Sequence, residues 1–169
     1  MASGRCLGLI GGLGVGATVY YYRELVKAHE EQGQRPDIVM AHAETSRVFE
    51  YVQAEDRDGL AAYLNGFICR LEAAGAACVA IPAITPHYSI RELAGISPLE
   101  VFDIFYPLNR ELSARGIRRA AVFGTRFAIE SSLFGLANDV EIVRPRTDEV
   151  DYIHKNYVHP HTPSLLRRA

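Results

Sequence analysis

The sequence predicts an α/β fold, with parallel sheets and flanking helices arranged as two similar small lobes. Three observations predict it. Short apolar runs alternate with longer stretches of helical period, the pattern of strand–helix–strand units on a parallel sheet. Strand–turn–helix starts occur twice, at Cys6 and at Arg119. Between them, the apolar run from Ala77 to Ile81 ends at Pro82 and gives way to small and polar residues through His87. That is the form of a buried strand delivering a loop to a pocket, and ligands of open α/β sheets bind beyond the carboxyl ends of the strands.

The elements follow in order. Cys6–Ile10 reads as a fully buried strand, and Gly11-Gly12-Leu13-Gly14-Val15-Gly16-Ala17-Thr18 as a glycine-rich turn in which the backbone bends tightly and approaches a ligand. The next helix shows Val19, Tyr22 and Val26 on one face and stops near Gly33. Asp37–Ala43 is a second strand. Thr45 or Ser46 caps a short helix carrying Val48, Phe49 and Val52. Leu60, Leu64, Phe67, Ile68 and Leu71 recur at helical spacing from about Asp58 to Ala74 and define the clearest helix. After the central strand come a short helical piece from Ile90 to Ala94, a strand over Glu100–Phe105 and a helix over Leu108–Arg115. The second lobe reads as a buried strand over Arg119–Phe123, a helix over Ala128–Leu136 and a strand over Val140–Val143. A last helix is capped by Thr147, with Val150, Ile153 and Tyr157 on its apolar face. The expected division is residues 1–104, residues 105–157 and an irregular, proline-broken tail over residues 158–169.

Composition narrows the function. A chain of 169 residues has room for one domain or two small lobes. At 49% hydrophobic and 22% charged residues it supports a real core, and a net charge of −2 gives no footprint for a nucleic acid. No apolar stretch is long enough to span a membrane. Residues 6–17 follow Arg5 as a signal segment would, but five of the twelve are glycine, which marks a strand and loop instead. Cys6, Cys69 and Cys78 form no C-x-x-C or Cys/His cluster. They read as small buried hydrophobes in a reducing compartment, hence a cytoplasmic protein.

Three turns carry a resemblance. Gly11-Gly12-Leu13-Gly14 with Ala17-Thr18 and the pair Tyr21-Tyr22 is similar to a GG-x-G-x-x-A-T motif with its aromatics. Ile81-Pro82-Ala83-Ile84-Thr85-Pro86-His87 stands where that family writes I-P-C-N-T-A-H. Gly124-Thr125-Arg126-Phe127-Ala128 is similar to its G-T-x-x-[TC] turn. In this order, and over residues 6–157, they resemble the aspartate/glutamate racemase superfamily, which also holds hydantoin racemases, maleate cis–trans isomerases and arylmalonate decarboxylases. The resemblance implies two α/β lobes, a small carboxylate or amino acid bound in a cleft between them, no cofactor, and two thiols acting as base and acid on opposite faces of the substrate carbon. Here the chain departs from the pattern. Ala83 and Ala128 occupy the two proton-transfer positions, and Ile84 replaces the asparagine. The family's later turn on a returning strand has no counterpart before the sequence ends, so the second lobe is expected to be incomplete. An open strand edge or apolar surface is then expected on the first lobe, covered by self-association into a homo-oligomer.

What remains at the matching positions suits an anion. Gly12, Thr18, Thr85 and Thr125 offer amides and hydroxyls beside helix starts. Arg47 stands where related racemases carry a carboxylate-binding basic residue, and equally reads as a solvated helix arginine. His87 matches the loop histidine and reads first as a brace of the loop. Glu130 is a lone base or an outward-facing helix glutamate, and Tyr21 and Tyr22 read as pocket wall or core. The leading expectation is therefore a family member that binds a small carboxylate or amino acid with two-base racemisation lost. The alternatives are an active cofactor-independent racemase or isomerase using other groups, and a dinucleotide-binding domain. The last rests on Gly12-x-Gly14-x-x-Ala17, with Glu30, Glu31 or Glu44 as the acidic residue such a site needs. His154, His159 and His161 straddle a helix end and a proline-broken tail, which gives no rigid metal geometry, so no metal is expected.

Overall fold

A computed structural model describes residues 5–133 and 140–158. The helix expected over Ala128–Leu136 ends at Glu130, with Ser132 and Leu133 at positive φ; residues 134–136 of that expectation lie outside the described residues, as do residues 159–169 of the expected tail with His159 and His161. By its internal contacts the chain divides between Ile104 and Phe105 into two compact units.

The first unit is a parallel sheet with helices. Its elements are β1 (Leu7–Gly11), α1 (Val15–Glu31), β2 (Ile38–His42), α2 (Thr45–Gln53), α3 (Arg57–Ala73), β3 (Cys78–Ala80), a 3₁₀ turn over Thr85–Ser89, α4 (Ile90–Ile96) and β4 (Glu100–Phe102). The sheet order is β2-β1-β3-β4, every pair parallel. The chain steps from β1 to β2 on one side and then crosses to β3 on the other. The carboxyl ends of β1 and β3 therefore flank the switch point, the crevice where such sheets bind ligands. Register fixes the neighbours there: Gly11 lies opposite His42, and Leu9 opposite Ala80.

The α3 helix anchors this unit. Leu60, Ala61, Leu64, Phe67, Ile68 and Leu71 are all buried, against a core that includes Leu9, Ile10, Val48, Val52, Val79 and Leu93. Its start is fixed by Asp56, whose carboxylate accepts the Gly59 amide at 2.8 Å, satisfying a donor that the first helical turn leaves open.

Several local expectations are corrected. Of the face of α1 expected to carry Val19, Tyr22 and Val26, Val19 and Tyr22 are exposed and Val26 is half-buried, and Thr18 is the buried residue of the helix. The helix seats on the sheet through that threonine because Gly11 has no side chain; a Cβ there would stand 2.7 Å from Thr18 Cγ2. Neither Thr45 nor Ser46 caps α2. Glu44 is the cap residue and makes no side-chain cap bond, the Thr45 hydroxyl donates to the Gly12 carbonyl at 2.8 Å, and the Ser46 hydroxyl donates to Glu44. The strand expected over Glu100–Phe105 stops at Phe102, and Phe105 opens a helix whose first turn contains Pro107, a position where proline's missing amide costs no helical bond.

The second unit holds α5 (Phe105–Ala114), β5 (Arg119–Ala121), α6 (Arg126–Glu130), β6 (Glu141–Val143) and α7 (Thr147–Val158). The β5 and β6 strands form a two-stranded parallel sheet. The expected buried strand over Arg119–Phe123 is shorter and half outside: Arg119, Ala121 and Phe123 are exposed, because a two-stranded sheet with one open face buries only Ala120 and Ile142 in part. Thr147 lies inside α7, and the Glu149 carboxylate accepts the Arg146 amide in its place. Val150 is buried as expected, whereas Tyr157 is exposed.

Leu64 is fully enclosed, so Leu64→Ala is expected to destabilise the protein by about 2–5 kcal/mol through lost burial and a residual cavity. A urea midpoint unchanged from the parent would show that α3 is not the centre of this core.

Candidate functional site

At the end of β1 the chain turns through Gly12, Leu13 and Gly14 into α1. Gly12 has φ +89°, and a Cβ on it would stand 2.3 Å from the Ala43 carbonyl oxygen and 2.8 Å from His42 Nε2. Only glycine permits this approach. The turn is lashed to the exit of β2: the Ala43 amide donates to the Gly11 carbonyl at 2.9 Å, and the Thr45 hydroxyl donates to the Gly12 carbonyl. The Gly14 carbonyl accepts both the amide of Thr18, at 2.8 Å, and its hydroxyl, at 2.9 Å. The Gly11, Gly12 and Gly14 carbonyls are thus occupied. Among the described residues, no bond takes the amides of Leu13, Gly14, Val15, Gly16 or Ala17, and Gly14 adds no side-chain cap. A turn with its carbonyls engaged and its amides open at a helix start favours an anion.

The neighbouring turn leaves β3. The Ala83 amide donates back to the Ile81 carbonyl at 2.8 Å, bending the chain at Pro82. Ala83 is half-buried, Thr85 is buried, and His87 is fully enclosed. The Ile104 amide donates to His87 Nε2 at 3.3 Å, so that nitrogen carries no proton; Nδ1–H then donates to the Ala83 carbonyl at 2.8 Å. Burial pushes the His87 pKa down, opposed by the Ala83 carbonyl, Asp103 and the Phe102 carbonyl. With both ring nitrogens engaged inside the core, His87 is a brace.

Arg47 sits on the outer side of α2, half exposed, bonded to Glu50 at 2.9 Å and 5.9 Å from the centre of the Tyr51 ring. This geometry favours the surface-helix reading. Sequence reasoning passed over His42, whose ring lies against Gly12; its signal was a histidine closing the second strand beside the glycine-rich turn. It also took Thr45 for a cap, where the hydroxyl serves the turn. Tyr21 and Tyr22 are exposed on α1. The thiols of Cys6 and Cys78 are pushed up in pKa, first by burial, which disfavours the reactive thiolate.

In the second unit, Thr125 caps α6, its hydroxyl oxygen accepting the Ala128 amide at 3.2 Å. Thr125 and Ala128 are buried. Glu130 is exposed and paired with Arg126 at 2.9 Å, and Arg126 also bonds Asp151. His154 Nδ1 accepts the Arg126 amide at 3.1 Å, so the ring serves the α6–α7 contact. No group of metal-ligating side chains occurs among the described residues. An open groove of about 690 Å³ lies beside the ends of β5 and β6 and the first half of α7, bordered by Phe123, Val143, Arg144, Tyr152 and Ile153. Neither Thr125, Ala128 nor Glu130 lines it. No described helix is long and apolar enough to cross a membrane.

A family model for Asp/Glu/Hydantoin racemase matches residues 10–156. The chain belongs to this family. Among solved structures it is similar to a candidate Asp/Glu racemase from Yersinia pestis, at 20% identity over 92% of this chain and 71% of that one, TM-score 0.76. It is similar also to an aspartate racemase homologue from Pyrococcus horikoshii OT3, at 22% identity over 90% and 70% of the two chains, TM-score 0.70. An aspartate racemase from Picrophilus torridus matches at 21% identity over 92% and 69%, TM-score 0.70. At these identities the likeness establishes the fold. A comparison with curated proteins found no match. The α/β class and the family resemblance read from three turns are thereby established.

Gly12→Ala is expected to destabilise the first unit. The left-handed backbone alone costs about 1–2 kcal/mol for a residue with a Cβ, and the contact with the Ala43 carbonyl adds to it. Wild-type stability in that variant would contradict the described turn. His87 also predicts a pH dependence. Its folded pKa lies below the unfolded value, so the unfolded chain takes up the proton first. Stability from this group is complete above about pH 6.5 and declines as pH falls from there toward the folded pKa. Urea midpoints at successive pH values, compared with those of His87→Gln, check that direction.

Proposed function

We propose that this protein binds a small carboxylate or amino acid at the turns leaving β1 and β3 and does not racemise it by the two-base route. The observation that carries the reading is the glycine-rich turn, whose carbonyls are engaged while the amides at the start of α1 are open. Family membership favours a carboxylate over a dinucleotide as the anion. An α-hydrogen beside a carboxylate is very weakly acidic, and each placed acid or base contributes about 10²–10⁴-fold to its removal. The side chains at Ala83 and Ala128 are methyl groups and transfer no proton. His87 has both nitrogens engaged, and Glu130 is paired on the surface. Binding without turnover follows. The chemistry invoked uses no cofactor, and the free Cys6, Cys69 and Cys78 suit the reducing cytoplasm.

Calorimetric titration with L-aspartate and L-glutamate, joined to α-proton exchange in D₂O, tests the reading. Binding with no enzyme-level exchange is expected, and Ala83→Cys is expected to introduce some exchange. Rapid racemisation by the unaltered chain would refute the loss of catalysis, and absence of binding to any small carboxylate would refute the site.

We propose in addition that the protein self-associates through the first unit. Val15, Val19, Tyr20 and Tyr22 on α1 and Met40 on β2 are exposed, and apolar patches of this kind are commonly covered by a partner. Sedimentation is expected to show a dimer or larger species that Val19→Glu weakens. A dilution-independent monomer would contradict this.

A further inference from the structure

We infer that His87 is the positioning residue of the turn leaving β3, and that it holds this turn in its binding geometry only while the imidazole is neutral. The inference rests on the reading of the β1 and β3 turns as a carboxylate site.

The geometry is a latch with two ends. Nδ1–H reaches the Ala83 carbonyl, on the turn itself, and Nε2 accepts the Ile104 amide, just past β4. One enclosed ring therefore joins two segments of chain that follow adjacent strands. The bond from the ring to the Ala83 carbonyl closes the turn over Ala83–His87, which carries Thr85, the residue the proposed site takes from this loop. A second local bond, from the His87 amide to the Ile84 carbonyl at 2.9 Å, keeps the turn tight, and the ring ties it to the neighbouring strand end.

This latch has one working protonation state. A second proton would lie on Nε2, where the Ile104 amide already points its own hydrogen. Two donors cannot share that bond, so protonation breaks the Ile104 bond and turns the new N–H over to the Phe102 carbonyl, which already lies within hydrogen-bond reach of the ring. Charged groups stand on each element around the 3₁₀ turn, Arg91 on α4 and Asp58 on α3 among them. Asp103, past β4, stabilises the proton. Arg57 on α3 bonds the Tyr88 carbonyl and stacks 3.7 Å from the centre of the Tyr88 ring. Glu92 lies on α4, and Arg47 and Glu50 on α2 are paired with each other. Burial of the ring works against all that favours the proton. Protonation thus loosens the latch below neutral pH, and binding at the loop weakens with it.

The experiment is a calorimetric titration of the full chain with L-aspartate between pH 8 and pH 5, where the ligand's own carboxyl, with a pKa near 3.9, stays charged. The affinity of the parent is expected to fall at least tenfold across the range. His87→Gln, which carries no proton in this range, is expected to bind weakly with a flat profile. A flat profile in the parent, or an unchanged fall in His87→Gln, overturns the inference. A second measurement keeps the test open should that variant not fold: ring-nitrogen and amide NMR on the parent. The ring is expected to be the Nδ1–H tautomer at pH 8, with the amides of Ala83, Thr85 and Ile104 shifting at the midpoint of the ring's titration. A ring that titrates without moving those amides, or that stays neutral to pH 5, overturns it. Absence of L-aspartate binding at every pH refutes the carboxylate site, and the latch is then decided by the NMR titration alone.

Discussion

The approach of Gly12 to the Ala43 carbonyl is the constraint on which the candidate site depends. A positive φ lets the chain leave β1, pass within 2.3 Å (Cβ position to oxygen) of the end of β2, and still enter α1. Once the chain runs there, the Gly11 and Gly12 carbonyls fall in reach of the Ala43 amide and the Thr45 hydroxyl. The opposite sides of the same peptide units, and the first turn of α1, are left as donors. The site is therefore a consequence of packing between strand ends, with the polarity of the turn decided by which of its groups the neighbouring strand consumes.

On the other side of β1 the same logic acts through a side chain. The turn after β3 has no glycine. Pro82 sets its bend, and a buried imidazole supplies the bonds that a strand partner would have given. A buried polar ring is tolerable only when both nitrogens are engaged, and His87 meets that condition with two backbone groups. The two turns thus reach fixed geometry by different means: one by the absence of a side chain, the other by one side chain fully used.

Much of this was legible in the sequence. The core face of α3 followed from Leu60, Leu64, Phe67, Ile68 and Leu71, since period alone decides which side of a long amphipathic helix is buried. The turns at Gly12, Ala83 and Thr125 were found because glycine, proline and threonine after apolar runs have few other uses. The same reasoning misplaced the face of α1. Val19 and Tyr22 show helical spacing, but the choice of Thr18 as the buried contact depends on Gly11 across the gap, which no local pattern encodes. Thr45 was taken for a cap because its position fits one; its hydroxyl goes to a carbonyl 33 residues earlier. His42 was missed because its place beside Gly12 comes from register between strands, and Arg119–Phe123 was read as buried because composition cannot count the strands of a sheet.

The central claim is that the open amides between Leu13 and Ala17 hold a carboxylate. Backbone amide NMR during titration with L-aspartate measures this most directly. The account predicts saturable downfield shifts concentrated at Leu13, Gly14, Gly16 and Ala17, with smaller changes at Ala83 and Thr85, and the rest of the first unit unmoved. Saturable shifts confined to other residues, with the Leu13–Ala17 amides unchanged, would contradict it.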